Sequence, residues 1–371
     1  MTKILVTGSA GFIGSRLAEV LADDNFEVLG VDNLNDYYDP AIKLARLQRS
    51  GFDKAELSSI LTGSHDMLIS RRYPNLGFIR MDIRDPEMEL IANEFEPDII
   101  VHFAAQPGVR YSQSHPEECI DNNVLGFMKM IEIARKAGVR RMLYASSSSV
   151  YGDQSPHAFR ETDSVDSPTS VYAVSKRTNE MLAKVYSEMY GIRMTAMRFF
   201  SVYGEWGRPD MAPYLFTDAL LHNRPITLFN GGQLSRDFTY IDDVAECIHR
   251  IITRGGGVFT TMPSHDTVNI GHGSPTLMLD FVAKIEEITG KKARRVLLPM
   301  QHGEVHATLA DTSKFHIQYG YYPRTTLDTG LRRFIRWFMD YKNISADSVQ
   351  QTDPSADSLL SSEDESLSYP A

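Results

Sequence analysis

Short apolar runs alternate with amphipathic stretches along most of this chain, the pattern of strands and helices taken in turn. The first run covers residues 3–7, and helical periodicity follows over 15–22. Further strand-length runs fall at 27–31, 78–83, 98–105, 141–145 and 193–200. Helical patterns cover 119–136 and 172–190, the latter closed by Gly191. The run at 98–105 is apolar almost throughout, as in a strand buried on both faces of a parallel sheet. Between 37 and 75 the chain turns polar and helical, which predicts a helical insertion ahead of the third strand. Its basic residues Lys43, Arg46, Arg49, Arg71 and Arg72 read as a solvated face.

Strands alternating with helices predict an α/β fold, a Rossmann-type doubly wound parallel sheet. After Phe200, proline and glycine punctuate 201–211 and mark an excursion out of that sheet into a smaller mixed α/β substrate-binding subdomain. There the pattern predicts a helix at 213–221, a strand at 226–229, and a segment at 235–243 leading into a helix. A strand at 268–270, a helix at 276–289, a strand at 295–298 and a last helix at 327–341 complete it. Beyond Asn343 the sequence is mainly Ser, Asp, Glu, Gln and Pro without apolar periodicity, an acidic tail expected to be disordered. The expected organisation is therefore 1–200 for dinucleotide binding with segments returning from the later chain, 201–341 mainly for the substrate, and 342–371 as the tail.

Composition narrows the role. The chain has 371 residues, 42% of them hydrophobic, and a formal net charge of -10. That charge argues against nucleic acid or an anionic membrane as the main partner, and confines any phosphate site to local arginines. No apolar run approaches the ~20 residues of a membrane span, and strand pattern begins within a few residues of Met1, so the expected compartment is the cytoplasm. Cys119 and Cys247 lie far apart without metal-ligand spacing and read as buried thiols.

Candidate chemistry sits at the ends of the strands. Gly8, Gly11 and Gly14 stand between the first strand and helix, spaced G-x-x-G-x-x-G. Such a turn lets a pyrophosphate approach backbone at a helix N-terminus. Asp32 and Asn33 end the second strand, where an acid accepts hydrogen bonds from the adenosine ribose and repels a 2'-phosphate, favouring NAD over NADP. Asp82 and Ile83 end the third strand, within reach of adenine. Ala104, Ala105, Gln106, Gly108 and Arg110 form a small-residue loop after the fourth strand, where open parallel sheets bind ligands. Asn122 and Asn123 either cap the next helix or face the nicotinamide. Ser146 to Ser149 follow the fifth strand, either as a polar turn or as hydroxyls meeting one substrate oxygen. Tyr172 and Lys176 lie four residues apart on one helix face, where a cation beside a phenol favours the phenolate and makes Tyr172 a candidate general base.

Together with Arg236, Asp237 and Phe238, these motifs resemble the extended short-chain dehydrogenase/reductase family, NAD-dependent epimerases and dehydratases of nucleotide sugars, over roughly 1–341. Within it, the 32–39 segment, Gln106–Ser112, the four serines and 202–211 are most similar to UDP-glucuronate 4-epimerases. The resemblance implies a 4-epimerisation through a 4-keto sugar, with Ser147 as catalytic hydroxyl, Tyr172 as base and Lys176 as its partner. It implies NAD contacts at Gly8, Gly11, Phe12, Ile13, Gly14, Asp32, Asn33, Asp82, Ile83, Phe103, Ala104, Ala105, Gln106, Asn122, Ser146 and Phe199, besides Tyr172 and Lys176. For a UDP-sugar it implies Gly108, Arg110, Ser147, Ser148, Ser149, Ser201, Arg208, Leu228, Phe229, Arg236 and Gln301. Because the two cysteines lack metal-ligand spacing no metal is expected, and because helices flanking such sheets often pair a homodimer is expected. Related decarboxylases and dehydratases carry acids after the catalytic hydroxyl, whereas Ser148 and Ser149 are neutral. UDP-glucose 4-epimerase, UDP-glucuronate decarboxylase and a non-enzymatic dinucleotide sensor remain as alternatives. Glu205 stands where the family has proline, and Gln301 to Glu304 depart from its late loop.

Overall fold

The structure is a computed structural model that describes residues 1–62, 66–154, 157–254 and 264–345; from 346 on, the acidic tail lies outside the described residues. The strands are Lys3–Thr7 (β1), Glu27–Asp32 (β2), Leu68–Ile69 (β3), Leu76–Arg80 (β4), Ile99–His102 (β5), Arg141–Ser147 (β6) and Arg193–Phe199 (β7). Ser201–Tyr203 (β8), Ile226–Phe229 (β9), Ser235–Tyr240 (β10), His265–Ile270 (β11), Pro275–Leu277 (β12) and Arg295–Leu298 (β13) complete them. The main sheet runs β11-β7-β6-β5-β1-β2-β4-β3. Every pairing in it is parallel except β3 with β4. Its strand order reverses between β1 and β5, and the carboxyl ends there open a crevice.

Core burial accounts for this arrangement. Ile4, Leu5 and Val6 of β1 are fully buried, as are Ile100 and Val101 of β5. Adjacent residues of one strand feed separate apolar clusters on the two faces of the sheet, Ile4 and Val6 on one and Leu5 on the other. Each such side chain contributes about 1.5–3 kcal/mol of transfer free energy.

Several expectations change in detail. The first helix begins at Phe12 instead of residue 15. The third strand covers Leu76–Arg80 and the fourth Ile99–His102, both shorter than the apolar runs because Asp82, Ile83 and 103–105 already belong to the loops at the sheet's edge. The strand expected at 268–270 is His265–Ile270, and it joins the main sheet beside β7. β8, β12 and the helix Ser313–Tyr319 were not expected. The solvated basic face holds for Arg71 and Arg72, which are exposed, but is overturned for the others: Lys43 and Arg46 are buried, at 5% and 0% exposure, and Arg49 pairs with Glu19. Distant segments claim Arg46 and Arg49, and Asn35 in the loop after β2 claims Lys43, contacts that helical patterning does not reveal.

The Val171–Tyr190 helix is capped by the Ser170 side chain on Ala173 N and ends on Gly191 at φ 70°. A buried pair fixes its height on the sheet. Arg198 of β7 donates to both Glu180 oxygens at 2.8 Å, and the Ser146 hydroxyl adds a bond of 2.7 Å. Burial alone would raise the Glu180 pKa, but hydrogen bonds and charge from Arg198, with Ser146 and Arg177, hold it below the usual carboxylate range. Because the folded pKa is depressed, this stabilisation is present above the unfolded value near ~4.3 and is lost as pH falls through the folded one. Glu180→Gln leaves Arg198 buried and unpaired and is expected to cost about 3–5 kcal/mol at pH 7. Urea unfolding at pH 7 and pH 3 checks it: the deficit should shrink at the lower pH.

Candidate active site

The glycine turn is built for close approach. Gly8 has φ 70°, and a Cβ on Gly14 would stand 2.2 Å from the Gly8 carbonyl oxygen. The Phe12–Asp23 helix then starts on Gly11 without a side-chain cap, leaving first-turn N–H groups open. Among the described residues, the buried Ser9 hydroxyl beside them has no hydrogen-bond partner. Asp32 accepts from Ala10 N at 3.2 Å and Leu34 N at 2.8 Å, which fixes its carboxylate at the end of β2. This donor-rich turn beside a fixed acid fits a dinucleotide.

At the far side of the crevice, Ser147 ends β6 and Tyr172 opens the helix opposite, close enough for a hydrogen bond between their side chains. The Ser147 hydroxyl also donates to Ser149 Oγ at 3.1 Å and accepts from Ser149 N at 3.2 Å. Ser148 and Ser149 are half-buried. Lys176 is buried, lies 5.7 Å from the Tyr172 ring centroid and donates to Ala145 O at 3.0 Å. Burial lowers its pKa to about 8. Tyr172 is raised, because burial outweighs the lowering by the Arg208 charge and the Ser147 hydrogen bond. The Lys176 ammonium is turned to Ala145 O beside the Tyr172 ring, and the charge of a second cation, Arg208, acts on the same phenol.

Arg208 donates to Asp210 Oδ1 at 3.0 Å and also to Oδ2, while the Tyr37 hydroxyl donates to Oδ2 at 3.0 Å. Behind it, Arg46 donates to Trp206 O at 2.7 and 3.0 Å, to Ala10 O at 3.1 Å and to the Tyr38 hydroxyl at 2.8 Å. One buried guanidinium thus joins the glycine turn to the loop that carries Arg208. Gly108, at φ 107°, lets the loop after β5 pass the Tyr37 hydroxyl, which a Cβ would meet at 2.7 Å.

A second cationic cluster lies at β9 and β10. Arg110 donates to Glu304 Oε1 at 3.0 and 2.9 Å and stands 4.4 Å over the Phe229 ring. Arg236 donates to Glu304 Oε2 at 2.7 Å. Leu228 is buried in the core, so only Phe229 faces this cluster. Gln301 is exposed, and its carbonyl accepts from Glu304 N at 3.4 Å.

The sequence profile of the NAD dependent epimerase/dehydratase family matches residues 4–271. The chain belongs to this family. It is an NAD-dependent epimerase, an isomerase, and its cofactor is NAD. An uncharacterized protein of Methanocaldococcus jannaschii is 41% identical over 92% of this chain and 97% of its own length. UDP-glucuronate 4-epimerase 3 of Arabidopsis thaliana is 36% identical over 92% of this chain and 77% of its own. Among solved structures, UDP-glucuronic acid 4-epimerase of Bacillus cereus, in complex with UDP-glucuronic acid and NAD, superposes with a TM-score of 0.79 at 30% identity. That match covers 92% of this chain and 100% of the other.

Within this epimerase, other expected cofactor residues divide. Phe103 and Phe199 face each other with ring centroids 6.1 Å apart, Phe12 is buried, and Ile13, Asn33, Ala104 and Ala105 are half-buried at the crevice. Asp82 accepts from Asn33 Nδ2 at 3.0 Å, and Ile83 packs where a Cβ on Gly126 would be. The Ser146 hydroxyl is committed to Glu180 and turned from the crevice. Asn122 caps nothing: its amide donates to Glu118 O at 3.0 Å. Its neighbour Asn123 is buried and bonds Gln106 N, Gln106 O and Ser175 Oγ, tying the loop after β5 to the Tyr172 helix. Asp237, fully buried, accepts from His272, Gly273 and Ala310 backbone N at 2.9 Å, and so anchors β10 beside Arg236. Glu205 accepts from the Tyr240 hydroxyl. Ser201 pairs with Phe238 at the start of β8 and is half-buried. Among the described residues, no group of three or more His, Cys, Asp or Glu side chains could hold a metal, and no helix is long and apolar enough to cross a membrane.

Proposed function

We propose that this chain interconverts UDP-glucuronate and UDP-galacturonate by inverting C4 of the sugar. The observation that carries the reading is the charge around the reacting hydroxyls: neutral Ser147, Ser148 and Ser149 on one side and the guanidinium of Arg208 on the other. A uronate carboxylate gains hydrogen bonds from such a wall, whereas an acid after Ser147 would repel it.

In this mechanism Tyr172 takes the proton of the 4-hydroxyl and later returns it, while Ser147 donates to the same oxygen. Burial opposes ionisation of Tyr172, so positive charge must stand close, and Arg208 and Lys176 are the cations the chain brings. NAD, when bound, supplies a ring that accepts a hydride from C4 and gives it back to the other face of the 4-keto sugar. Arg110 and Arg236 hold the diphosphate, with Phe229 beside them. The sensor reading is disfavoured because Tyr172 and Lys176 are both in place.

One geometric fact favours UDP-glucose as a second substrate: Asp210 already neutralises Arg208, so a neutral sugar would leave no cation unpaired. The domain division near residue 200 fits β11 returning to the main sheet. A homodimer fits the exposed Val174, Met181, Val185 and Met189, spaced along one face of the Tyr172 helix.

Incubation of the purified protein with UDP-glucuronate, without added cofactor, tests the function. A product of unchanged mass co-eluting with UDP-galacturonate supports it. A product lighter by carbon dioxide means a decarboxylase, and turnover of UDP-glucose alone means a neutral-sugar epimerase.

A further inference from the structure

We infer that Glu304 is a built-in counter-anion that occupies the diphosphate site of the free protein and is displaced when the nucleotide's diphosphate arrives. The inference rests on the function proposed above. Its two carboxylate oxygens serve different partners, Oε1 taking both bonds from Arg110 and Oε2 the bond from Arg236. The two arginines come from segments far apart in sequence and converge only on this side chain. Arg236 and Glu304 side chains are 16% and 15% exposed, so the pair is partly shielded from solvent.

Charge makes the carboxylate an incomplete partner. One negative charge faces two guanidinium groups, whereas a diphosphate brings at least two negative charges and more acceptor oxygens, matching both arginines. Glu304 and a diphosphate cannot share the cluster without like-charge repulsion. Asp153 also acts on Arg236, but its carboxylate is already taken by His306 N at 2.8 Å and His306 Nδ1 at 2.7 Å. The loop carrying Glu304 has its own anchors. Gln113 donates to His302 O at 2.6 Å and Thr169 to Gly303 O at 3.3 Å. Its backbone therefore stays in place when the carboxylate swings away.

A counter-anion and a structural strut predict opposite signs. Losing a competitor tightens nucleotide binding, and losing a strut weakens it. The test is calorimetric titration of UDP into the full-length, NAD-loaded protein, comparing wild type with Glu304→Gln and Glu304→Ala. The Kd for UDP should fall about three- to tenfold in both variants, with a parallel fall in KM for UDP-glucuronate and no rise in kcat. An unchanged or raised Kd in folded variants overturns the inference and leaves the proposed function standing. If the wild type itself bound no UDP, the proposed function would fail and this inference with it.

Discussion

Tyr172→Phe is expected to lower kcat by about 10²- to 10⁴-fold while NAD stays bound. The substitution removes one oxygen and no apolar contact. The backbone N–H of residue 172 still donates to Ser112 Oγ at 3.1 Å, so the start of the helix keeps its anchor. Lys176 and the Ser147 hydroxyl keep their other bonds, to Ala145 O and to Ser149. The loss should therefore fall on the proton-transfer step and appear in kcat more than in KM. Quantifying bound NAD after denaturation alongside steady-state rates checks both halves. Activity within a factor of a few of the wild type would remove Tyr172 from the role of base.

Arg208→Gln should weaken UDP-glucuronate binding by roughly 10²- to 10³-fold, since a charge-assisted partner of the carboxylate is lost and Asp210 is left without its cation. Part of that cost is structural. Among the described residues, the side-chain partner that Asp210 keeps is the Tyr37 hydroxyl. The double variant Arg208→Gln, Asp210→Asn separates the terms: it should regain stability without regaining uronate affinity. A second readout follows from substrate chemistry. A 4-keto uronate is a β-keto acid, prone to lose carbon dioxide unless its carboxylate is held out of the cleaving geometry. The variant should therefore release more of the decarboxylated keto-pentose per turnover, measured by chromatography with mass detection. Unchanged affinity and unchanged partition would show that Arg208 does not read the carboxylate.

The parts legible in the sequence were those fixed by local rules. Continuous apolar runs marked the parallel strands because those strands are buried on both faces. Gly8 and Gly14 marked the turn because no Cβ fits against the neighbouring backbone. The serine run 146–149 is legible at a strand end and Tyr172 with Lys176 in their helical spacing, Ser147 is singled out by the family resemblance, and the fold brings Ser147, Tyr172 and Lys176 together. What stayed hidden depends on contacts between distant segments. Arg46 looked like a surface residue but is the buried link between Ala10 and Trp206. Asn122 and Asn123 are neighbours, and spacing alone does not say which amide of a turn faces inward. The π-type turn over Asp121–Leu125 decides it. The charge that Arg208 adds at Tyr172, beside Lys176, is not legible in spacing, because Arg208 enters from a loop 36 positions later in the chain. Glu304 was visible as a departure, yet its clamp on Arg110 and Arg236 required the fold.

Transfer and return of one hydride at C4 is the central claim, and UDP-glucuronate deuterated at C4 tests it most directly. After incubation in ordinary water without added NAD, the account predicts UDP-galacturonate that keeps the deuterium at C4, read by mass spectrometry and NMR. Loss of the label to solvent, or a product inverted at another carbon, would contradict it.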